Sequence, residues 1–298
     1  MVVACLEGGR YRVDRPLPVG DVGVLVEELI DKSNGEGALL GFDFPIGLPA
    51  GYARRAGISD FRSTLRLLGT GRWSHFFEPA VLATDISLER PFYPFRPGGT
   101  RQAHLVTGLG VTSMDELLRR CERAYGTRSG ACCLFWTLGG NQVGRAAISG
   151  WRDVLAPSLA RLGREVGLWP FDGDLPQLLQ TRACVAVETY PADACVQLGF
   201  PPPGRGWSKR RQTDRYRLSQ WLVQSAMSGN VALTESLRRD IDLGFGTARD
   251  GEDRFDAFVG NLAMLGVVQG HRDEGTPRDA IIRSVEGWIL GQESRPTL

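Results

Sequence analysis

The sequence lacks several features that identify common classes of protein. It has only three histidines, His75, His104 and His271, and they are too few and too scattered for a histidine-based metal site. No apolar run approaches the length of a membrane span, and the N-terminus has no signal-peptide pattern. These absences predict a cytoplasmic protein that does not bind a membrane.

Paired cysteine motifs and a strong charge of either sign are also missing. None of the six cysteines forms a C-x-x-C pair, so we expect buried thiols in a reducing compartment rather than zinc ligands or disulfides. The formal net charge of +1 argues against a protein that coats nucleic acid, although it leaves room for a local basic groove. The 298 residues, 42% hydrophobic and 23% charged, are ordinary for a globular protein.

The most informative segment is an apolar run that ends in one carboxylate. Residues 38–42 read ALLGF, Asp43 follows, and a turn rich in proline and glycine runs to Pro49. This pattern predicts a buried strand with Asp43 at its C-terminal end, where open α/β sheets bind their ligands. A second segment repeats the pattern, since residues 184–187 read CVAV and are followed by Glu188, a proline and a predicted helix.

The N-terminal residues predict how the first of these strands is reached. Residues 1–13 have the pattern of a hairpin with a turn at Gly8 and Gly9, and a helix with an apolar face follows from Asp21 to Asn34. A strand reached through a helix favours a parallel crossover, and therefore an α/β core. We also expect a helix that begins at a capping box formed by Ser113 and Glu116 and ends at Gly126, a strand over 132–138, and insertions at about residues 50–130 and 200–250.

The glycine-rich segment after residue 138 resembles a phosphate-binding loop only in part. Gly139 and Gly144 have the P-loop spacing, but Arg145 and Ala146 stand where that motif needs Lys and Ser or Thr. A glycine turn before a helix is therefore the simpler interpretation. A third interpretation keeps Asn141 and Gln142 as substrate-binding residues.

Charged residues in the last third of the chain complete the candidate site. Lys209, Arg210 and Arg211 form the strongest basic cluster, which is either a solvated surface or a patch that contacts phosphates. Asp253 and Asp256 share one face at the start of a predicted helix that runs to about Val268. The small residues that follow Asp256 on its face predict that its side chain points inward.

Four carboxylates, Asp43, Glu188, Asp253 and Asp256, thus make a candidate catalytic set. Clustered carboxylates suit Mg²⁺ or Mn²⁺, and two such ions can support phosphodiester cleavage. The alternative is structural: Asp43 and Glu188 cap turns, and Asp253 caps a helix.

Five short motifs in order resemble the family known as domain of unknown function 429. They are GFDFPIGLP, VETYPADA, the KRR segment, DRFDAF and EGWI, and the resemblance extends over most of the chain, from about residue 1 to 293. The resemblance implies a ribonuclease H-like fold, with a mixed central sheet flanked by helices, and a metal-dependent nuclease. It also implies that Asp43, Glu188 and Asp256 ligate Mg²⁺ or Mn²⁺, with Asp253 assisting.

The sequence departs from that family at its beginning. Ribonuclease H-like folds start with a strand that carries an aspartate, whereas residues 1–13 here resemble the second and third strands. Either the true start codon lies upstream, or residues 1–6 are the first strand and the family's first carboxylate is absent. An in-frame strand with an aspartate upstream of Met1 would decide for the first hypothesis.

The sequence therefore predicts one ribonuclease H-like α/β domain over residues 1–298. The favoured function is metal-dependent hydrolysis of nucleic-acid phosphodiesters, in which Lys209, Arg210 and Arg211 contact phosphates. One alternative is a phosphotransferase that binds a nucleotide, for which the Gly139–Arg145 loop would matter. Another is a binding protein that keeps the fold with a degenerate site.

Overall fold

The computed structural model describes residues 1–126, 128–139, 143–201, 204 and 206–294. Within these residues the chain is mixed α/β and divides into two compact units. The larger unit comprises residues 21–188 and 276–289, and the smaller unit comprises residues 1–20, 189–275 and 290 onward. No described helix is long and apolar enough to cross a membrane.

The strands lie in two three-stranded sheets, where the sequence predicted one mixed central sheet. The sheet of the smaller unit has the order β1-β2-β6, and the sheet of the larger unit has the order β3-β5-β4. The strands are β1 Ala4–Glu7, β2 Arg10–Val13, β3 Ala38–Phe42, β4 Val166–Leu168, β5 Cys184–Glu188 and β6 Val231–Leu233.

The sheet of the larger unit is parallel throughout, with β5 in the middle. Every residue of β5 is buried, as expected for a strand that has neighbours on both edges and is covered on both faces. The helices of this unit are α1 Leu25–Lys32, α2 Ala50–Ala56, α3 Phe61–Leu65, α4 Ala103–Gly108, α5 Val143–Ser149, α6 Ala156–Leu162 and α7 Leu175–Thr181.

The smaller unit begins with the predicted hairpin. β1 and β2 pair antiparallel across Gly8 and Gly9, whose φ values of 56° and 78° are those that a type I′ turn requires. β2 then pairs in parallel with β6, and the long helix α12 supplies much of the core through Phe255 and Phe258. The helices here are α8 Pro191–Gln197, α9 Gln212–Arg217, α10 Ser219–Ser228, α11 Glu235–Asp242 and α12 Gly251–Val268.

Two predicted elements are wrong. Residues 132–138 contain no strand, and only Trp136 forms an isolated bridge, to Tyr93. In place of the helix predicted from Ser113 to Gly126 there are two short 3₁₀ segments, Met114–Leu117 and Arg120–Glu122. The helix that begins at Val143 is nearly continuous through α5 and α6, which are joined by a π-helical segment, Gly150–Leu155.

The cysteines follow the prediction except at one position. No disulfide links them, four are buried and Cys132 is half-buried, but Cys5 is exposed on the edge strand β1. Burial raises the pKa of the Cys133, Cys184 and Cys195 thiols to about 12, so these three remain protonated at neutral pH.

Candidate functional site

Asp43 and Glu188 lie at the carboxyl ends of adjacent parallel strands, as the sequence predicts. Phe42, the last residue of β3, pairs with Glu188, the last residue of β5, and Asp43 follows directly. The two side chains have opposite surroundings, since Asp43 is exposed and Glu188 is buried. Asp43 thus occupies the edge of a parallel sheet at which ligands bind in open α/β folds.

The carboxylate of Glu188 is held by Arg119. Nη1 and Nη2 of the guanidinium each donate to one Glu188 oxygen over 2.7 Å, and the backbone N–H of Ile46 donates to Oε2 over 2.7 Å. Paired, bidentate geometry of this kind is what makes a buried carboxylate tolerable. Both oxygens of Glu188 are therefore occupied by protein donors.

Arg119 is the centre of a larger buried ionic network. Its Nε donates to Glu122 over 2.9 Å, and its Nη1 also reaches the backbone oxygens of Ile46 and Glu286. The Glu286 carboxylate accepts from the backbone N–H and Nε of Arg120. Burial raises the pKa of Glu122, although Arg119 opposes the shift. The network joins four distant parts of the larger unit, so its role is structural.

The loop that carries Asp43 is fixed from two sides. On one side, the Trp151 indole N–H donates to the Pro45 oxygen over 2.7 Å, and Gly150 lies against the Phe44 ring. On the other side, the Leu48 N–H donates to the Val285 oxygen over 2.8 Å. Val285 and Trp151 both belong to π-helical segments. Such segments are rare in proteins, and those that occur often lie at functional sites. Asp43 is thus an exposed carboxylate on a rigid support.

The second group of predicted residues lies in the smaller unit, at the start of α12. Asp253 is exposed, whereas the side chain of Asp256 is only 11% exposed, which confirms the prediction that Asp256 points inward. Lys209 donates from Nζ to Oδ2 of Asp256 and lies 3.5 Å from Glu252. The other carboxylate oxygen, Asp256 Oδ1, is buried and has no hydrogen-bond partner among the described residues.

This environment changes the acidity of Asp256. Burial raises its pKa from 3.8 to about 6, and Lys209 opposes the shift. The carboxylates of Glu252 and Asp253 raise the pKa further, because three negative charges on one helical turn repel each other. A carboxyl group that titrates near pH 6 is suited to general acid–base chemistry, and a bound cation would favour its ionised form.

The predicted basic cluster is partly neutralised by acidic side chains. Lys209 contacts Asp256, Arg210 lies 3.9 Å from Glu252, and Arg211 donates to Asp214 over 2.7 Å. The Arg210 and Arg211 side chains are 61% and 62% exposed, whereas that of Lys209 is 27% exposed. Arg210 and Arg211 therefore remain accessible to a phosphate, while Lys209 belongs to the Asp256 site.

The glycine-rich loop after residue 138 gives less support for a binding role than the Asp256 site does. Asn141 and Gln142, the predicted substrate-binding residues of this loop, lie outside the described residues. Arg145 donates to the backbone oxygens of Thr137 and Phe95 over 3.1 Å and 3.0 Å. These contacts indicate that Arg145 holds the local backbone in place and does not serve to bind a phosphate.

The predicted metal ligands differ in how well they fit a cation. Glu188 does not fit, because Arg119 and the Ile46 N–H use both of its oxygens. Asp256 fits better, because Oδ1 is a buried oxygen without a partner in the part of the chain that is described, and hard cations prefer such ligands. Across the described residues, no group of three or more His, Cys, Asp or Glu side chains is placed to hold a metal ion.

Comparison of the chain with known protein families, curated proteins and solved structures finds no match.

Proposed function

We propose that the chain is a metal-dependent phosphodiesterase that acts on nucleic acid, with a ribonuclease H-like core. The observation that carries the proposal is the state of Asp256, a nearly buried carboxylate with one unpartnered oxygen, a pKa of about 6 and a lysine on its other oxygen. Such a group is costly to a folded chain unless it serves a ligand or a reaction.

Each residue has a stated role in this proposal. In the smaller unit, Asp256 holds Mg²⁺ or Mn²⁺ with Asp253 assisting, and Arg210 and Arg211 contact phosphates. In the larger unit, Asp43 is the exposed acidic residue at the sheet edge, while Glu188 positions the Asp43 loop through Arg119 and Ile46. A bound divalent cation supplies a Lewis acid for the phosphoryl oxygen and lowers the pKa of a bound water.

The test is cleavage of end-labelled DNA, RNA and RNA–DNA hybrid by the purified chain, with Mn²⁺ or with EDTA. We expect cleavage to require the cation. We also expect the rate to fall by at least about 100-fold in Asp256→Asn, because removal of one group that stabilises developing charge has an effect of that size. Asp43→Asn is expected to reduce cleavage as well.

The matched control is Asp31→Asn, the same chemical change at an exposed position of α1. It should leave cleavage unchanged. Retention of full activity by Asp256→Asn, or equal activity in EDTA, would contradict the proposal.

A binding protein without catalytic activity is the second candidate. It is favoured by the pairing of Glu188 with Arg119, which removes one of the predicted metal ligands. In that case oligonucleotides should raise the melting temperature of the chain, and no cleavage should occur with any cation.

A further inference from the structure

An exposed tryptophan on α10 rests on a buried aromatic ring. Trp221 is 48% exposed, and its ring is nearly parallel to that of Phe200, with an interplanar angle of 5° and a distance of 5.5 Å between the centroids. Phe200 is itself buried and belongs to the core of the smaller unit. The core therefore supports one face of the indole, while the large exposed fraction of Trp221 leaves the other face open to solvent.

Two exposed arginines are drawn together by one buried carboxylate. Asp214 is buried, and it accepts from Nε of Arg211 over 2.7 Å and from Nη1 of Arg217 over 3.4 Å. Both arginine side chains remain largely exposed, and two guanidinium groups against one carboxylate leave a net positive charge. Each guanidinium also keeps N–H donors that Asp214 does not use. The pair can therefore hold a phosphate between them.

The helices place this pair of arginines beside the tryptophan. α9 and α10 are nearly continuous, since Leu218 has helical backbone angles and its oxygen accepts from the Leu222 N–H over 3.0 Å. Arg217 and Trp221 are four residues apart and both exposed, so they lie on one face with their Cβ atoms about 5–6 Å apart. α10 carries no acidic residue and thus has no charge that would repel a phosphate.

We propose that this surface, formed by Arg211, Arg217 and Trp221, binds single-stranded nucleic acid. A base stacks on the open face of Trp221, and Arg211 and Arg217 share the neighbouring phosphate, which leaves Arg210 for a second phosphate. Aromatic stacking combined with basic contacts to the backbone is the usual way in which proteins bind single strands. A duplex does not fit, because its bases already stack on each other. The inference rests on the proposed function for nucleic acid as the substrate and narrows that substrate to a single strand.

The test compares three labelled ligands by fluorescence anisotropy in EDTA. They are an oligothymidylate, an abasic strand with the same number of phosphates, and a duplex of the same length. We expect the oligothymidylate to bind about tenfold more tightly than the abasic strand, because stacking of one base on an aromatic side chain has an effect of that size. It should also bind more tightly than the duplex.

Substitutions at Trp221 test which residue stacks. Trp221→Leu keeps an apolar side chain over Phe200 but removes the aromatic face. It should bind the oligothymidylate about tenfold more weakly and the abasic strand as before, whereas Trp221→Phe should keep most of the affinity. Arg217→Gln should weaken both strands by the same factor, because it acts on the phosphate. The matched control is Tyr125→Ala, which removes an exposed aromatic side chain of the larger unit and should change neither affinity.

Circular dichroism confirms the fold of each variant, and if Trp221→Leu does not fold, the comparison of the two strands on the natural chain decides. The proposal is overturned if the abasic strand or the duplex binds as tightly as the oligothymidylate, or if the folded Trp221→Leu variant binds as the natural chain does. Binding in EDTA needs no cleavage. A chain that binds the oligothymidylate through Trp221 but cleaves nucleic acid with no cation therefore supports this inference and contradicts only the proposed catalysis.

Discussion

Glu188 and Asp256 are both carboxylates with a cationic partner, but they differ in how many of their oxygens accept a hydrogen bond. Both oxygens of Glu188 accept short bonds from Arg119, and one also accepts from a backbone N–H. Asp256 has a bond to Lys209 on one oxygen and none from the described residues on the other. A bidentate arginine compensates a carboxylate more fully than a single ammonium does. Burial raises the pKa of Asp256, and its single ammonium partner offsets that rise only in part.

The pKa of Asp256 predicts a pH dependence of stability. Because burial raises its pKa from 3.8 to about 6, the folded state holds this proton more tightly than the unfolded state does. The resulting stabilisation is complete below about pH 4 and is lost as the pH rises through 6. The free energy of unfolding of the natural chain, relative to Asp256→Asn, should therefore fall by about 2 kcal/mol between pH 4 and 7.

Urea unfolding at half-unit steps of pH measures this difference. Asp31→Asn, at an exposed position of α1, is the control and should show a nearly constant difference. A difference between the natural chain and Asp256→Asn that stays constant, or grows with pH, would show that Asp256 is ionised in the folded chain at acidic pH.

At the scale of elements, the loop that carries Asp43 depends on a close contact with a helix. A Cβ atom added to Gly150 would lie 2.3 Å from the Phe44 ring, a distance at which one of them must move. Glycine is therefore needed at the start of this π-helical segment to let the helix approach the loop.

Gly150→Ala tests this contact. Alanine favours a helix over glycine by about 1 kcal/mol, but overpacking costs about 1–3 kcal/mol. We therefore expect a net loss of stability of about 1 kcal/mol, measured by urea unfolding. Phe44→Leu should recover part of this loss in the double variant. Gly266→Ala is the control, because its added methyl group meets no atom within 4 Å, and it should be neutral or stabilising.

Local patterns predicted the elements whose residues are placed by their own neighbours. The β1–β2 hairpin, α8, β5 and α12 follow from turn residues, apolar runs and helical periodicity. The helix predicted from Ser113 to Gly126 is wrong for a physical reason. Arg119 must turn inward to reach Glu188, 69 positions away, and two short 3₁₀ turns accomplish this where a regular helix was predicted.

The apolar run over 132–138 failed for a different reason. Phe135 packs against Tyr52 and Phe92, with ring centroids 4.6 Å and 5.4 Å away. The run is therefore apolar because it joins an aromatic cluster, and an apolar run of this length does not by itself distinguish a strand from another buried segment. Similarly, the position of Asp43 was predictable from its strand, whereas Arg119 has no local pattern that marks it.

At the scale of the whole molecule, the pairing of distant segments decides the architecture. The N-terminal hairpin pairs with β6, so that Val13 lies opposite Leu233. The chain thereby forms two sheets in two compact units. Strand patterns give the position of a strand but not its partner, so the sequence alone could predict the α/β class but not the two sheets.

The near-neutral charge of the molecule leads to a test of the proposed binding of nucleic acid. With a net charge of +1, long-range attraction is weak, and the proposed binding would depend on the exposed guanidinium groups of Arg210 and Arg211. Two phosphate contacts to a single strand give a slope of about −1.4 for log K against log salt. We expect this slope in fluorescence anisotropy with a labelled oligonucleotide in EDTA, where cleavage is absent.

The Arg210→Gln/Arg211→Gln variant should bind weakly and nearly independently of salt. The matched double variant Arg238→Gln/Arg239→Gln, at exposed positions of α11, should keep the slope, and a slope much steeper than about −3 would require more phosphate contacts than this patch supplies.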